Sequence, residues 1–230
     1  MKEKLRFAKE DPFIRVKNSY KEIFNFLNLN SLYSYNNDFL FKKAVSYKNA
    51  LNFPDGFTIS KFLSIKQQRG PSFMARFLNG ENSKEFLHFF IGLSKKDLPK
   101  LAKFTSIPLN QIRSFNPSFI KGKEFSIEER IKIIKEVNKF NTDYLWICVG
   151  HPKQEILGFQ IFDQINVKKI FNVGAALDFL LKRKKESPLF FRKIGLEWLY
   201  LGFTNPKRTL KKIRNSLLAL TYLNLVNKSK

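Results

Sequence analysis

From Phe86 onward the chain alternates between apolar runs of strand length and segments of helical period, a pattern that few folds other than a parallel sheet built from βα units accommodate. Phe86–Leu93 (FLHFFIGL) reads as a strand, Lys95–Thr105 as a helix and Gln111–Phe115 as a short strand. Ser126 and Glu129 stand three apart in SIEER, the spacing of a capping box, and predict a helix reaching Phe140. Asp143–Val149 (DYLWICV) carries no charge after its first residue, the composition of a strand buried on both faces. Pro152 sits where the next helix would start, since a first-turn proline loses no hydrogen bond. Lys168–Val173 (KKIFNV) predicts the strand after it. The segment before Phe86 is less regular, with strands expected at Ile23–Leu29 and Ala50–Phe53 and a turn at Pro54-Asp55-Gly56. The fold class is therefore α/β, a mostly parallel sheet flanked by helices.

Lys and Arg number 42 against 19 Asp and Glu, a formal charge of +23 that asks for an anionic partner. A single cysteine, Cys148, excludes a disulfide framework and a cysteine-based zinc cluster, and two histidines leave little for a His-rich metal site. The N-terminus mixes acids and bases and resembles no signal peptide, and no apolar run approaches the length of a spanning helix. The chain thus reads as intracellular and either soluble or peripheral to a membrane. From Pro206, helical spacing puts Leu210, Ile213, Leu217 and Leu220 on one face, with Lys207, Arg208, Lys211, Lys212 and Arg214 clustered towards the start: a basic amphipathic helix suited to an anionic membrane surface. The same helix could equally pack on the core with its basic side solvated. A main domain over 1–204 and a tail over 205–230 follow. Charge and abundant phenylalanine also suggest a nucleic-acid binder, but the basic residues are spread along the chain and no aromatic-basic RNA-binding signature occurs.

Two strand ends carry the strongest chemical signal. Cys148-Val149-Gly150 runs into His151-Pro152-Lys153-Gln154-Glu155, and Asn172-Val173-Gly174 runs into Ala175-Ala176-Leu177-Asp178. In open α/β sheets ligands bind beyond the carboxyl ends of strands, where glycine permits close approach and a helix N-terminus offers free N–H groups. An ordinary βα turn with solvated polar residues accounts for the first segment as readily, and a helix-terminal charge for Asp178. Neither GxGxxG nor GxxxxGK[ST] is present. Cys148 reads as a small buried hydrophobe, and His88 and His151 as structural or exposed residues without assigned chemistry.

CVGHPKQE, NVGAALDF and SPLFFRKIGLEWLYLGFTNPKR, in this order and spacing, resemble the WecG/TagA/CpsF family of bacterial glycosyltransferases, and PDG at Pro54–Gly56, RFLNG from Arg76 and the strand FFIGL extend the likeness over roughly Phe26 to Arg214. The resemblance implies a Rossmann-like fold with a C-terminal membrane-associating appendage. It implies inverting transfer of N-acetylmannosamine or a related hexose from a UDP-sugar, a co-substrate, to a polyprenyl-diphosphate-linked acceptor, without metal or other cofactor, in cell-surface polysaccharide assembly at the cytoplasmic face of the membrane. Asp55 becomes the expected catalytic base, although Asp-Gly is also a common turn. Asn28, Asn30, Arg76, Gly150, Lys153, Gln154, Glu155, Gly174, Asp178 and Glu197 become the expected substrate-binding residues, with Arg76 and Lys153 facing diphosphate. Glu186 and Leu201 stand where the family commonly has cations, which motivates the alternative of a degenerate member acting as a scaffold; homo-oligomerisation is left open.

Overall fold

The computed structural model describes residues 4–184 and 206–228. Its centre is a six-stranded parallel sheet in the order β3-β2-β7-β6-β4-β5, formed by β2 (Glu22–Leu27), β3 (Ala50–Pro54), β4 (His88–Ile91), β5 (Ile112–Phe115), β6 (Tyr144–Ile147) and β7 (Lys169–Asn172). The expected α/β architecture is present, and each strand expected from the alternation falls within its predicted segment. Strands β4, β6 and β7 are buried at every position, because helices cover both faces of the sheet.

One face is packed by α1 (Pro12–Arg15), α5 (Gly70–Leu78), α6 (Leu98–Thr105) and α9 (Ala176–Leu180). Its core is aromatic: Trp146 lies 4.4 Å from Phe171 and is stacked on Phe90, and Phe73 of α5 packs against Phe24, Phe26 and Phe171. The other face is packed by α7 (Ile127–Lys139) and α8 (Lys153–Ile161) through Ile133, Val137, Leu157 and Ile161. Ser126 caps α7 as predicted, its Oγ accepting the Glu129 N–H at 3.2 Å.

The segment between β2 and β3 holds two helices absent from the sequence expectations, α2 (Leu29–Asn37) and α3 (Phe39–Val45), and α4 (Phe57–Leu63) follows β3. They share a third core with β1 (Leu5–Phe7), β8 (Val226–Lys228) and α10 (Pro206–Leu220). β1 and β8 pair in parallel, and α10 packs along α2. The amphipathic helix is present, but its expected apolar face is not the packed one. Ala219 is buried while Leu210 and Leu217 remain 65% and 61% exposed.

The two edges of the sheet differ. At the amino edge of β2 and β7, Lys169 is buried with its Nζ donating to Asn18 Oδ1 at 2.7 Å and Glu22 Oε2 at 3.1 Å, and Glu22 also takes Arg15 Nε at 3.0 Å. That edge is closed by ion pairing. At the carboxyl edge the strand tips are followed by Asn28, Asp55, Gly92, Gly150 and Gly174.

Candidate active site

Asp55 follows β3 and Asn28 follows β2, so neighbouring parallel strands deliver them to one edge. The Asp55 N–H donates to Leu27 O at 2.9 Å, and a Cβ at Gly56 would lie 3.3 Å from the Asn28 Cβ. Asp55 is half-buried, and Gln67 holds its carbonyl oxygen at 3.1 Å. Asn28 is exposed, and its Oδ1 accepts the N–H groups of Asn30 and Ser31, forming the cap of α2. Asn30 Oδ1 accepts Asn215 Nδ2 of α10 at 3.4 Å, which ties this end of the site to the tail.

At the β6 and β7 tips the polar residues bind one another. The Gly174 N–H donates to Gln154 Oε1 at 2.8 Å, and Gln154 Nε2 donates to Glu155 Oε1 at 3.0 Å. His151 Nδ1 lies 3.5 Å from Glu155 Oε2, and its Nε2 lies 2.8 Å from Ser34 Oγ of α2, with Phe41 of α3 against the ring at 4.8 Å. Gln154 and Glu155 are buried; they stitch the two tips and, through His151, the tip of β6 to α2. Gly150 is the open point of this group, at φ +85° with nothing within 4 Å of a Cβ placed there.

Three expected residues stand elsewhere. Arg76 is exposed in the last turn of α5 with its guanidinium 4.1 Å over the Phe13 ring. The next residue, Phe77, packs on Tyr144 and His88, the first residues of β6 and β4, so Arg76 belongs to the amino edge and is not brought to Asp55. Lys153 Nζ donates to Ile120 O at 2.5 Å and lies over Phe119, turned towards the loop after β5. Asp178 pairs with Arg183 and Lys184, the helix-terminal alternative. Glu197 lies outside the described residues, as do Glu186 and Leu201, and the side chains of Lys207, Arg208, Lys211 and Lys212; Arg214 is exposed on α10.

Arg69, absent from the sequence expectations, occupies the edge instead. It is the N-cap of α5, half-buried, and a Cβ at the following Gly70 would lie 3.5 Å from both the Phe26 Cβ and Val173 O. The signal for it was Gly70-Pro71, a helix start with proline in the first turn. The helix rises about 10 Å between Arg69 and Arg76, enough to separate the two sheet edges.

The sheet's switch point lies between β6 and β4, whose outgoing connections lead to β7 on one side and β5 on the other. Gly92 makes the close approach possible: at φ +95° it carries no side chain where a Cβ would stand 3.2 Å from the Cys148 backbone. Cys148 is half-buried rather than enclosed, and burial of its thiol pushes the pKa above the ordinary value. Along β5 opens a cleft of about 690 Å³ lined by Ser94, Lys95, Ser114, Phe115, Asn116, Lys132, Lys135 and Glu136. Ser114 Oγ is buried there without a hydrogen-bond partner. Among the described residues no group of three or more His, Cys, Asp or Glu side chains is arranged to hold a metal ion.

The described residues thus form a parallel α/β sheet with a half-buried carboxylate, Asp55, at its carboxyl edge. The chain belongs to the Glycosyl transferase WecG/TagA/CpsF family, whose model matches residues 12–230. It is 32% identical over 98 residues to N-acetylglucosaminyldiphosphoundecaprenol N-acetyl-beta-D-mannosaminyltransferase of Staphylococcus aureus strain MRSA252, and 31% identical over 98 residues to the proteins of that name from strains NCTC 8325 / PS 47 and COL. The match covers 43% of this chain and 39% of each relative.

Proposed function

We propose that the protein transfers a hexose or N-acetylhexosamine from a UDP-sugar to a polyprenyl-diphosphate-linked acceptor, with inversion, in cell-surface polysaccharide assembly. The observation that carries this reading is the position of Asp55: half-buried, on the open edge, beside Asn28 and across β2 from Gly174. At about 4.8 Å per strand, β7 lies about 10 Å from Asp55 and β4 about 19 Å, a span on the scale of an extended nucleotide-sugar.

In the mechanism, Asp55 takes the proton of the acceptor hydroxyl as its oxygen attacks the anomeric carbon, and the bond to the UDP oxygen breaks on the opposite face. Charge grows on departing UDP. Arg69 at the entry of α5 and the N–H groups at the start of α8 are the groups at this edge that meet it, and Lys95, Lys132 and Lys135 receive the nucleotide's outer end. Gln154 and Glu155 act here by fixing the β6 and β7 tips. No metal or other cofactor takes part in this scheme. The acceptor's lipid places the protein at the inner face of the membrane, held through α10 with its exposed leucines and Arg214.

Turnover of a UDP-sugar by wild type and Asp55→Asn, read as UDP release with a short-chain polyprenyl-diphosphate acceptor, tests this. Asp55→Asn is expected to fold normally and lose at least a hundredfold in rate; equal rates would remove Asp55 from the mechanism. A scaffold role draws support from Arg76 and Lys153, two cations turned away from Asp55, and any UDP-sugar turnover by the wild type on a lipid acceptor rules it out.

A further inference from the structure

Phe39 and Phe119 are the most exposed large apolar side chains described, at 82% and 87%, and they come from different elements. Phe39 is the first residue of α3, whose cap is Asp38; Asp38 Oδ1 accepts the Leu40 and Phe41 N–H groups. Phe119 lies in the loop after β5. Two contacts bring them to one place. Lys123 of that loop pairs with Asp38 at 2.7 Å, and Lys153 at the start of α8 holds Ile120 O and lies 5.2 Å from the Phe119 ring. The loop is thus clasped between the starts of α3 and α8, and both starts lie at the carboxyl edge, since His151 beside the tip of β6 touches Phe41. Lys121 and Lys123 of the same loop are exposed.

Exposed aromatic rings interspersed with lysines at a rigid edge have a specific physical preference. The rings gain by entering the acyl boundary of a bilayer, and the ammonium groups gain by standing among anionic head groups. We infer that this rim is a membrane contact of the folded core, separate from α10, and that its partner is an anionic leaflet. The inference rests on the membrane placement proposed above. It adds that the open edge itself is pressed to the bilayer, so that a lipid-borne diphosphate enters the crevice without leaving the head-group layer.

The test is flotation of the full chain with vesicles of three parts phosphatidylcholine to one part phosphatidylglycerol, and with phosphatidylcholine alone, comparing wild type with Phe39→Ser/Phe119→Ser. Both side chains are solvent-exposed, so the double variant keeps the wild-type circular dichroism and melting temperature. Wild type is expected to float with anionic vesicles only, and the double variant to bind them at least tenfold more weakly. Equal binding by the two proteins overturns the rim contact and leaves α10 as the docking element. Absence of wild-type binding overturns the rim contact and the membrane placement together, leaving the reaction to its own assay. A change in sedimentation coefficient with unchanged vesicle binding overturns it in favour of self-association.

Discussion

His88 illustrates how a single side chain acquires a pH signature from packing. Its Nδ1 lies 3.1 Å from Trp146 Nε1 and its Nε2 lies 2.8 Å from Ser83 O. Trp146 can only donate and the carbonyl can only accept, so the ring is neutral with its proton on Nε2. Burial pushes its pKa down from 6.5 to about 4, against smaller opposing effects of Ser83 and Asp143. Between these values the unfolded chain takes up a proton that the folded one refuses, so this contribution is complete above pH 6.5 and declines as pH falls towards 4, by about 3 kcal/mol. Carboxylates such as Asp97, held below 3.8 chiefly by the hydrogen bond from Arg183, lose their contribution only at lower pH. Urea unfolding between pH 7 and 4.5 is therefore expected to show falling stability in wild type and a flatter dependence in His88→Gln; parallel curves would refute the assignment. Residue identity also set the limit of what the sequence disclosed at the site. Asp55 was named through the family resemblance, and the structure puts it at the end of β3 as the expected turn after that strand implied, whereas the distance of Arg76 from Asp55 depends on the direction of α5, which Phe73 and Phe77 fix by packing on strands distant in sequence.

Elements were legible where local and long-range preferences agree. α7 combines a capping serine with a sustained apolar period, and β6 combines β-propensity with complete burial, so both were readable. α2 and α3 were not, although Asn28 and Asp38 are their caps; the capping asparagine was read as part of the preceding strand and as a ligand. β1 and β8 come from opposite ends of the chain and are three residues each, too short for a periodic signal. A polar ladder across three strands was also invisible: Asn172 Nδ2 donates to Asn25 Oδ1 at 2.7 Å, Asn25 Nδ2 to Asn52 Oδ1 at 2.9 Å, and Asn52 Nδ2 to Val45 O at 2.9 Å. It explains Gly158 in the middle of α8. A Cβ there would stand 3.2 Å from Asn172 Nδ2, and the ladder prevents that amide from moving aside. Alanine gains about 1 kcal/mol in helix propensity but incurs about 1–3 kcal/mol of overpacking. Gly158→Ala is thus expected to lower stability by about 1 kcal/mol in denaturant titration. A more stable variant would mean that the ladder yields.

At the scale of the whole molecule, the tail is both part of the core and a surface device, and the two roles separate by face. Ala219 and Val226 are buried with Leu27 and Leu32, and β8 supplies the partner of β1. Ending the chain before Pro206 would expose this cluster and leave β1 unpaired, so the shortened protein is expected to lose several kcal/mol of stability as buried side chains meet water at about 1.5–3 kcal/mol each. A truncation therefore cannot isolate membrane docking. The opposite face can: Leu210 and Leu217 project from α10 into solvent, beside the exposed Arg214. No described helix is long and apolar enough to cross a membrane, and attachment through this face would be interfacial and reversible. Leu210→Ser/Leu217→Ser is expected to melt within a few degrees of wild type, bind anionic vesicles at least tenfold more weakly, and turn over a soluble acceptor at the wild-type rate. A melting temperature lowered as far as in the truncated chain would show instead that the leucines are covered, and that α10 meets the core on both faces.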